Sequence, residues 1–221
     1  MVEDTFRHKG LRERMIEELR TKGITDERVL AAMNKVPRHF FVDKSFDAIA
    51  YEDRPLPILC DQTISHPHTV AFQTQLLDVQ KNDKILEIGT GSGYQACVLA
   101  AMGARVLTIE RHNELFQKAQ QVISQMRYFI RCYHGDGYQG LPSSAPFDKI
   151  LITCGAPMVP PELLKQLKTG GVMVIPVGTE NCEMRRITKK NDSDYEEEAF
   201  GNFSFVPMLE KVQGKVNTLF R

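Results

Sequence analysis

A glycine-rich segment directly after a short apolar run could hold a nucleoside. The segment is Gly89-Thr90-Gly91-Ser92-Gly93, and the run before it is Lys84–Ile88. Glycines at the end of a parallel strand let the backbone approach a ligand closely, because no Cβ intervenes. Tyr94 stands where a dinucleotide motif G-x-G-x-x-G would carry glycine. The spacing therefore favours a ligand without phosphate, such as S-adenosylmethionine, although similar turns serve other ligands in other α/β proteins.

Two acidic residues at later strand ends fit the same ligand. Glu110 directly follows the next apolar run, Arg105–Ile109. A carboxylate there can accept hydrogen bonds from both hydroxyls of a ribose. Asp136, followed by Gly137, comes after the third run and could accept the exocyclic amine of adenine. Taken alone, this Asp-Gly pair fits a plain turn equally well. Beside the glycine segment and Glu110, the ligand interpretation leads.

The loop at residues 60–68 is polar, is stiffened by Pro67, and allows three interpretations. Ser65 could be a nucleophile with His66 or His68 as its base, but the G-x-S-x-G elbow of such hydrolases is absent. Ser65 or Thr63 could instead cap the following helix by accepting backbone N–H bonds. In the third interpretation the loop lies over the cofactor, and both hydroxyls donate hydrogen bonds to a substrate.

Composition argues against several classes of partner, although a local basic patch for nucleic acid remains compatible with it. Lys and Arg total 28 and balance 28 Asp and Glu, so the chain lacks the basic excess expected for nucleic acid or an anionic membrane. The N-terminus is charged and lacks the apolar region of a secretory signal. Five scattered cysteines without a C-x-x-C pair argue against a disulfide framework or a metal site. We expect a cytoplasmic protein with no metal and no membrane or nucleic-acid partner.

The first part of the chain must position the loop at residues 60–68, and its pattern is helical. Apolar residues at helical spacing predict a helix over Phe6–Leu19 that Gly23 terminates. A second helix is predicted over Asp26–Asn34, before Pro37, and a third over His68–Leu77. The residues between 38 and 62 are expected to be irregular. We expect residues 1–80 to pack on the main domain as a helical addition that ends in the loop.

The remainder of the chain must position the glycine segment, and there short β-branched runs alternate with helices. Strands nearly apolar on both faces indicate a parallel sheet covered on both sides. Two later strands are expected to be antiparallel, joined by a turn at residues 191–194. The predicted strands are Lys84–Ile88, Arg105–Ile109, Tyr128–Tyr133, Phe147–Ile152, Gly171–Ile175, Cys182–Lys189 and Glu198–Met208. The fold class is α/β, a doubly wound Rossmann-like domain over residues 81–210 with a C-terminal tail at 211–221.

Longer stretches of the chain resemble the protein-L-isoaspartate (D-aspartate) O-methyltransferase family. The segments Ala50–Ile58 and Gln62–Ser65 are specific to that family, whereas the glycine segment is general to methyltransferases. Further matching stretches follow in family order and extend over most of the chain: Leu86–Ala96, Thr108–Arg111, Gly135–Tyr138, Ala145–Asp148, Val159–Leu164 and Phe205–Pro207. The resemblance implies a class I methyltransferase that uses S-adenosylmethionine, releases S-adenosylhomocysteine and needs no metal.

The resemblance also implies a role for individual residues. Ser65 matches the family's catalytic residue, and Thr63, Ser65 and Val206 match its substrate contacts. The residues that match cofactor contacts are Gln62, Thr63, Ile64, Gly89, Gly91, Gly93, Glu110, Arg111, Asp136 and Gly137. One departure is Leu59-Cys60-Asp61, where the family typically has Gly-aromatic-Gly. We expect this change to stiffen or re-route the loop and to place a negative charge near an anionic substrate.

The implied reaction methylates the free α-carboxylate of an L-isoaspartyl residue in damaged peptides and proteins, as the first step of repair through a succinimide. A carboxylate is already ionised at neutral pH, so no strong base is needed. Ser65 would orient the carboxylate instead of attacking. Two alternatives remain: another class I methyltransferase acting on a small molecule or nucleic acid, and a cofactor-binding regulator without turnover. The monomer is the expected state.

Overall fold

The computed structural model describes residues 3–210, and its N-terminal part is helical as expected. Helix α1 spans Phe6–Thr21 and α2 spans Glu27–Lys35. Thr5 caps α1 by accepting the N–H of His8, and Gly23 follows α1 in the left-handed conformation at φ +92°. Among residues 3–210, no helix is long and apolar enough to cross a membrane. The predicted tail, 211–221, lies outside the described residues.

The central sheet has seven strands. Its members are β3 (Lys84–Ile88), β4 (Arg105–Glu110), β5 (Ile130–His134), β6 (Phe147–Ile152), β7 (Leu167–Val177), β8 (Cys182–Lys189) and β9 (Tyr195–Phe203). Their order is β5-β4-β3-β6-β7-β8-β9. The first five are parallel and the last two antiparallel, which confirms the predicted class. Since β3 has β4 on one side and β6 on the other, the strand order reverses beside β3, where such sheets bind ligands.

Both faces of the parallel strands are apolar. Leu86 and Ile150 belong to one buried cluster, whereas Ile85 and Leu151 belong to another on the opposite face. Helices α3 (Pro67–Leu77), α4 (Tyr94–Ala101), α5 (Asn113–Gln125) and α6 (Pro161–Gln166) cover the sheet. This burial on two sides explains why the strands are apolar runs without alternation.

The N-terminal helices share one apolar core with helices α4 and α5. Leu19 and Leu30, from α1 and α2, lie in the same buried cluster as Tyr94 and Val98 of α4 and Ile123 of α5. Burying each of these side chains stabilises the fold by roughly 1.5–3 kcal/mol relative to leaving it exposed. The helical addition is therefore fastened to the helix that follows the glycine segment.

A buried polar cluster fastens α1 to the segment before the loop. Arg12 donates to Asp4 at 2.9 Å and to the Tyr51 hydroxyl at 3.1 Å. The Tyr51 hydroxyl lies 2.7 Å from Nδ1 of His39, whose ring stacks on His8 at 3.8 Å between centroids. Asp4, His8 and His39 bring possible metal-ligand atoms within 4.8 Å of one another. Each already bonds to protein groups, so the cluster has an evident structural role.

Three predicted strands have the wrong boundaries. The strand predicted at Gly171–Ile175 is the longer β7, Leu167–Val177. The strand predicted at Tyr128–Tyr133 begins two residues later, at Ile130. The strand predicted at Glu198–Met208 is β9, which begins at Tyr195 and ends at Phe203. Beyond it the chain leaves the sheet, and the N–H of Gly155 donates to the carbonyl of Val206 at 2.8 Å. The residues after Phe203 therefore do not continue the sheet; they form a wall of the site beside the end of β6.

Helix α3 begins immediately after Ser65 and is capped from a distance. His66 is the N-cap residue but makes no side-chain cap bond. Asp53 instead accepts the N–H of His68 at 2.8 Å and pairs with Nζ of Lys22 at 2.6 Å. Neither Ser65 nor Thr63 caps the helix, so that interpretation of their hydroxyls is wrong. Burial would raise the pKa of Asp53, but the bonds from Lys22 and His68 outweigh it and lower the pKa.

We predict that Asp53→Ala lowers the free energy of unfolding by about 0.5–2 kcal/mol, because the α3 cap is lost. Asp53→Asn keeps an acceptor for the N–H and should cost less. Since the folded state lowers the pKa of Asp53, the advantage of wild type over Asp53→Asn is complete above about pH 4 and disappears as pH falls through the lowered value. Chemical denaturation at several pH values measures this.

The exposed Asp192, at a hairpin turn, provides a control: Asp192→Ala should change the unfolding free energy by less than about 0.5 kcal/mol. Equal stability of Asp53→Ala and wild type at pH 7 would contradict the cap.

Candidate active site

The glycine segment leaves β3 in a conformation that only glycine adopts easily. Gly89 has φ +94°, and a Cβ there would lie 2.6 Å from Oγ1 of Thr153. Thr153, just after β6, donates its hydroxyl to the carbonyl of Gly89 at 2.7 Å. Gly93 has φ +88°, and a Cβ there would lie 2.9 Å from Cδ1 of Ile123. Gly89 therefore leaves space at the end of the sheet, and Gly93 allows α4 to pack on α5.

Glu110 holds the glycine segment from the end of β4. Its two carboxylate oxygens accept the N–H groups of Gly91 and His112, each at 2.9 Å. The residue is 5% exposed, so its charge lies at the edge of the sheet with little water around it. Each oxygen can still accept a further hydrogen bond, which leaves the pair suited to the two hydroxyls of a ribose.

A second carboxyl group lies beneath this one but is neutral at pH 7. Glu87 of β3 is fully buried and accepts a hydrogen bond from Thr108 through one oxygen, while the other has no hydrogen-bond partner among the described residues. Burial raises the pKa of Glu87 to about 8; the charge of Glu110 adds to the rise, and the bond from Thr108 opposes it. Of these two carboxyl groups at the end of the sheet, Glu87 is therefore the neutral one and Glu110 the charged one.

The main cleft lies over the carboxyl ends of β3, β4 and β6 and has a volume of about 620 Å³. Its walls include Gly89, Gly91, Glu110 and Gly137, together with Val206 from the wall beyond β9. A Cβ on Gly137 would come within 2.5 Å of Ile88, so this position also needs glycine.

Two further spaces beside the loop share lining residues with the cleft. One, of about 390 Å³, lies between Ser65 and the glycine segment. The other, of about 660 Å³, has Ser65, His66 and Thr69 on one side and Val206 on the other. Thr63 and Thr153 line all three spaces. A ligand in the cleft and a second molecule beside Ser65 would therefore meet at these two threonines.

The loop rises from a small hairpin that covers the glycine segment. Strand β1 (Leu56–Pro57) pairs antiparallel with β2 (Thr63–Ile64). At its tip Cys60 and Asp61 take φ of +58° and +55°, a left-handed conformation that disfavours side chains. Leu59-Cys60-Asp61 therefore forms a turn whose conformation suits glycine. Gln62 and Thr63, which follow it, still line the cleft.

Ser65 is fixed through its backbone, which leaves its hydroxyl available. Nη2 of Arg38 donates to the carbonyl of Ser65 at 2.6 Å, and Nε donates to the carbonyl of Ala50. The guanidinium also lies 5.0 Å from the ring centroid of Tyr94, the first residue of α4. Burial lowers the pKa of Arg38 to about 10, so the group stays charged at neutral pH.

The hydrolase alternative finds no support in this geometry. Within residues 3–210, the hydroxyl of Ser65 makes no hydrogen bond to His66, His68 or any other side chain. The ring of His68 instead stacks on Phe72 at 5.9 Å between centroids. A serine nucleophile needs a base within hydrogen-bond reach, and none is placed there.

The structure brings most of the predicted site residues together. Those that line the main cleft are Gln62, Thr63, Gly89, Gly91, Glu110, Arg111, Gly137 and Val206. Ile64 and Ser65 line the space beside the glycine segment. Gly93 and Asp136 do not line any of the three spaces. The carboxylate of Asp136 accepts the N–H of Tyr138 at 2.9 Å and so stabilises the turn that presents Gly137.

The sequence did not lead us to predict Thr153 as a site residue. It also did not lead us to place His66 in the space of about 660 Å³. Thr153 follows the buried strand β6, and its place at a strand's carboxyl end was the available signal. His66 was considered as a base, although its position next to Ser65 also suggests a place in the same pocket.

Comparisons with known proteins agree with this geometry. The family model for protein-L-isoaspartate(D-aspartate) O-methyltransferase matches residues 10–213. A protein-L-isoaspartate O-methyltransferase from Christiangramia forsetii is 50% identical over 210 residues, which are 95% of this chain and 99% of the relative. The enzyme of that name from Flavobacterium psychrophilum is 50% identical over 212 residues, again 95% and 99% of the two chains.

A solved structure extends the match to three dimensions. The Plasmodium falciparum protein, described as a protein-L-isoaspartate O-methyltransferase, was crystallised with S-adenosyl-L-homocysteine. It superposes with a TM-score of 0.79 at 26% identity, over 91% of this chain and 98% of its own. The chain described here belongs to the protein-L-isoaspartate(D-aspartate) O-methyltransferase family.

Proposed function

We propose that this chain methylates the α-carboxylate of L-isoaspartyl residues in damaged peptides and proteins, with S-adenosylmethionine bound in the main cleft. The observation that supports this most is that the three spaces share lining residues. Thr63 and Thr153 border both the cleft and the pocket beside Ser65. A methyl donor in the cleft and a carboxylate in that pocket would therefore be neighbours, and orientation of two reacting groups can contribute on the order of 7–11 kcal/mol.

The cleft fits the nucleoside on the chain's own geometry. Gly89 and Gly137 leave the space that a Cβ would fill, and Glu110 offers two oxygens to a ribose. Gly91 and Arg111 line the same cleft, and Gln62 and Thr63 close it from the loop. We assign Ile64 to the methionine end with them, and Gly137, held by the Asp136 turn, to the adenine side. When bound, S-adenosylmethionine supplies a methyl group activated by a sulfonium.

The pocket beside Ser65 fits an anion that needs orientation and not deprotonation. The free hydroxyl of Ser65 can donate to one carboxylate oxygen while the other faces the cleft. Its donation must favour the transition state over the bound substrate, or it would not accelerate the reaction. Thr63 and Val206 limit the pocket on opposite sides. We therefore assign Ser65 as the orienting donor and Thr63 and Val206 as substrate contacts.

The product is a methyl ester, which has a better leaving group than the carboxylate it replaces. The neighbouring backbone nitrogen can then expel methanol and close a succinimide without help from the protein. No metal is needed for this chemistry, because the substrate is already ionised and the methyl group already activated. We further propose a monomer in the reducing cytoplasm, consistent with five cysteines that form no disulfide. Residues 1–80 would serve as the substrate-side addition to the domain at 81–210.

We predict that the purified protein releases methanol from an isoaspartyl peptide after incubation with S-adenosylmethionine, and little from the same peptide with normal aspartate. The reason is that only the isoaspartyl form has a free α-carboxylate, because its peptide bond runs through the side-chain carboxyl group. A headspace methanol assay after base treatment measures both. Methylation of small molecules or nucleic acid alone would favour the other methyltransferase, and cofactor binding without methyl transfer would favour a regulator.

We predict that Glu110→Ala weakens binding of S-adenosylhomocysteine by about 1–3 kcal/mol, because charged acceptors for the ribose are lost. Isothermal calorimetry measures the change. Glu198→Ala is the matched control, since that carboxylate lies on the outer strand β9, far along the sheet order from β4. Unchanged affinity in Glu110→Ala would contradict the assignment.

We predict that Ser65→Ala lowers kcat/KM on an isoaspartyl peptide roughly 10- to 100-fold, the scale of a lost hydrogen bond to a charged group. Affinity for S-adenosylhomocysteine should change less than about twofold, because the backbone bond to Arg38 remains. Steady-state kinetics and calorimetry on the same preparation separate the two effects. Equal losses in turnover and cofactor affinity would show that the hydroxyl only maintains the loop.

A further inference from the structure

His66 lines the same pocket as Ser65, and the proposed function gives it no role. It follows Ser65 in the chain, in an extended conformation that Pro67 restricts, and it lines the space of about 660 Å³. The residue is partly buried, and among residues 3–210 no hydrogen bond to its ring is present. His68, two residues later, does not line the pocket, and its ring packs on Phe72.

The pocket binds an anion but is lined by almost no charge. Among the described residues that line it, none is Lys, Arg, Asp or Glu; the others are apolar or carry hydroxyls. His66 is thus the lining residue whose charge can change between pH 5 and 8. The N-terminus of α3, an 11-residue helix, begins at the next residue and adds a favourable dipole for a bound carboxylate.

The surroundings of His66 disfavour the protonated form of its imidazole. Burial is the main cause that lowers the pKa of His66; Asp53 opposes it, and Arg38, His68 and Lys22 lower the pKa further. The carboxylate of Asp53 is already committed to Lys22 and to the N–H of His68. A bound substrate carboxylate would be the first negative group in direct reach of the ring, and it would favour protonation.

We propose that His66 is a second substrate-binding residue, which donates an N–H hydrogen bond to the α-carboxylate oriented by Ser65. The inference rests on the proposed function. Neutral imidazole donates one such bond, and the imidazolium formed at mildly acidic pH donates it with a positive charge. His66 removes no proton and attacks no bond; it binds the carboxylate and makes that binding depend on pH.

The test is substrate KM as a function of pH in His66→Ala, His66→Gln and the matched control His68→Gln. The peptide is N-acetylated and free of His and Cys, so its α-carboxylate, of pKa about 3.5, stays ionised from pH 5.5 to 8. In wild type we expect KM to fall several-fold as pH drops from 8 to 5.5. His66→Ala should raise KM at pH 6 about tenfold and flatten the profile, with kcat changed less than about threefold.

His66→Gln keeps an N–H donor without the charge, so we expect partial recovery of KM at pH 8 and none of the pH dependence. His68→Gln should retain a KM that falls with pH, with the profile moved at most slightly to higher pH, because His68 lowers the pKa of His66. Affinity for S-adenosylhomocysteine, measured by calorimetry, and the unfolding midpoint serve to show that each variant is folded with its cleft intact.

Three results would overturn the assignment. KM in His66→Ala could match wild type at every pH, the pH dependence could persist in both His66 variants, or the loss could fall on cofactor affinity with KM unchanged. If either variant does not fold, the other decides. A wild-type enzyme that forms no methyl ester would refute the proposed function itself, which distinguishes that failure from the failure of His66 alone.

Discussion

The position of the candidate site depends on one buried cation. Arg38 is fully buried, and its guanidinium joins the carbonyls of Ala50 and Ser65 to the ring of Tyr94. A buried charge costs several kcal/mol unless polar groups compensate it. Two carbonyls and one aromatic face compensate it in part, while Nη1 of Arg38 has no hydrogen-bond partner among the described residues. Because the three partners belong to the helical addition, the loop and the helix after the glycine segment, this one side chain links the segments that form the site.

Electrostatics then divides the site between its two ligands. Glu110 is charged at the cofactor end, while burial keeps Glu87 protonated beneath it, so a single negative charge faces a cationic methyl donor. On the substrate side Arg38 lies beneath Ser65, and His66 lines the pocket. In the proposed function, an anion beside Ser65 would lie near the buried charge of Arg38, and a cationic methyl donor would lie beside Glu110.

The sequence predicted those features that depend on neighbours in the chain or on repeated patterns. Strands buried on two faces are apolar runs, and glycines beside Glu110 mark a ligand site, so both were recognisable. Long-range contacts were not: Asp53 caps α3 from 15 residues before His68, which made Ser65 look like the cap. The chain beyond Phe203 has a strand-like composition, yet it leaves the sheet because Val206 bonds to Gly155 beside the cleft. The end of a strand was the one sequence signal for Thr153, and its contact with Gly89 became evident only in the structure.

The hairpin tip adopts a backbone conformation that its residue types disfavour. Left-handed φ at non-glycine residues costs roughly 1–2 kcal/mol each, and Cys60 and Asp61 both adopt it. The hairpin lies against the site on one side: Cδ1 of Ile58 is 3.7 Å from where a Cβ of Gly91 would be, and the Cys60 thiol is 3.9 Å from a carboxylate oxygen of Glu114. Gln62 and Thr63, which follow the tip, line the main cleft. The strained turn therefore returns the chain over the glycine segment, where the next two residues border the cleft.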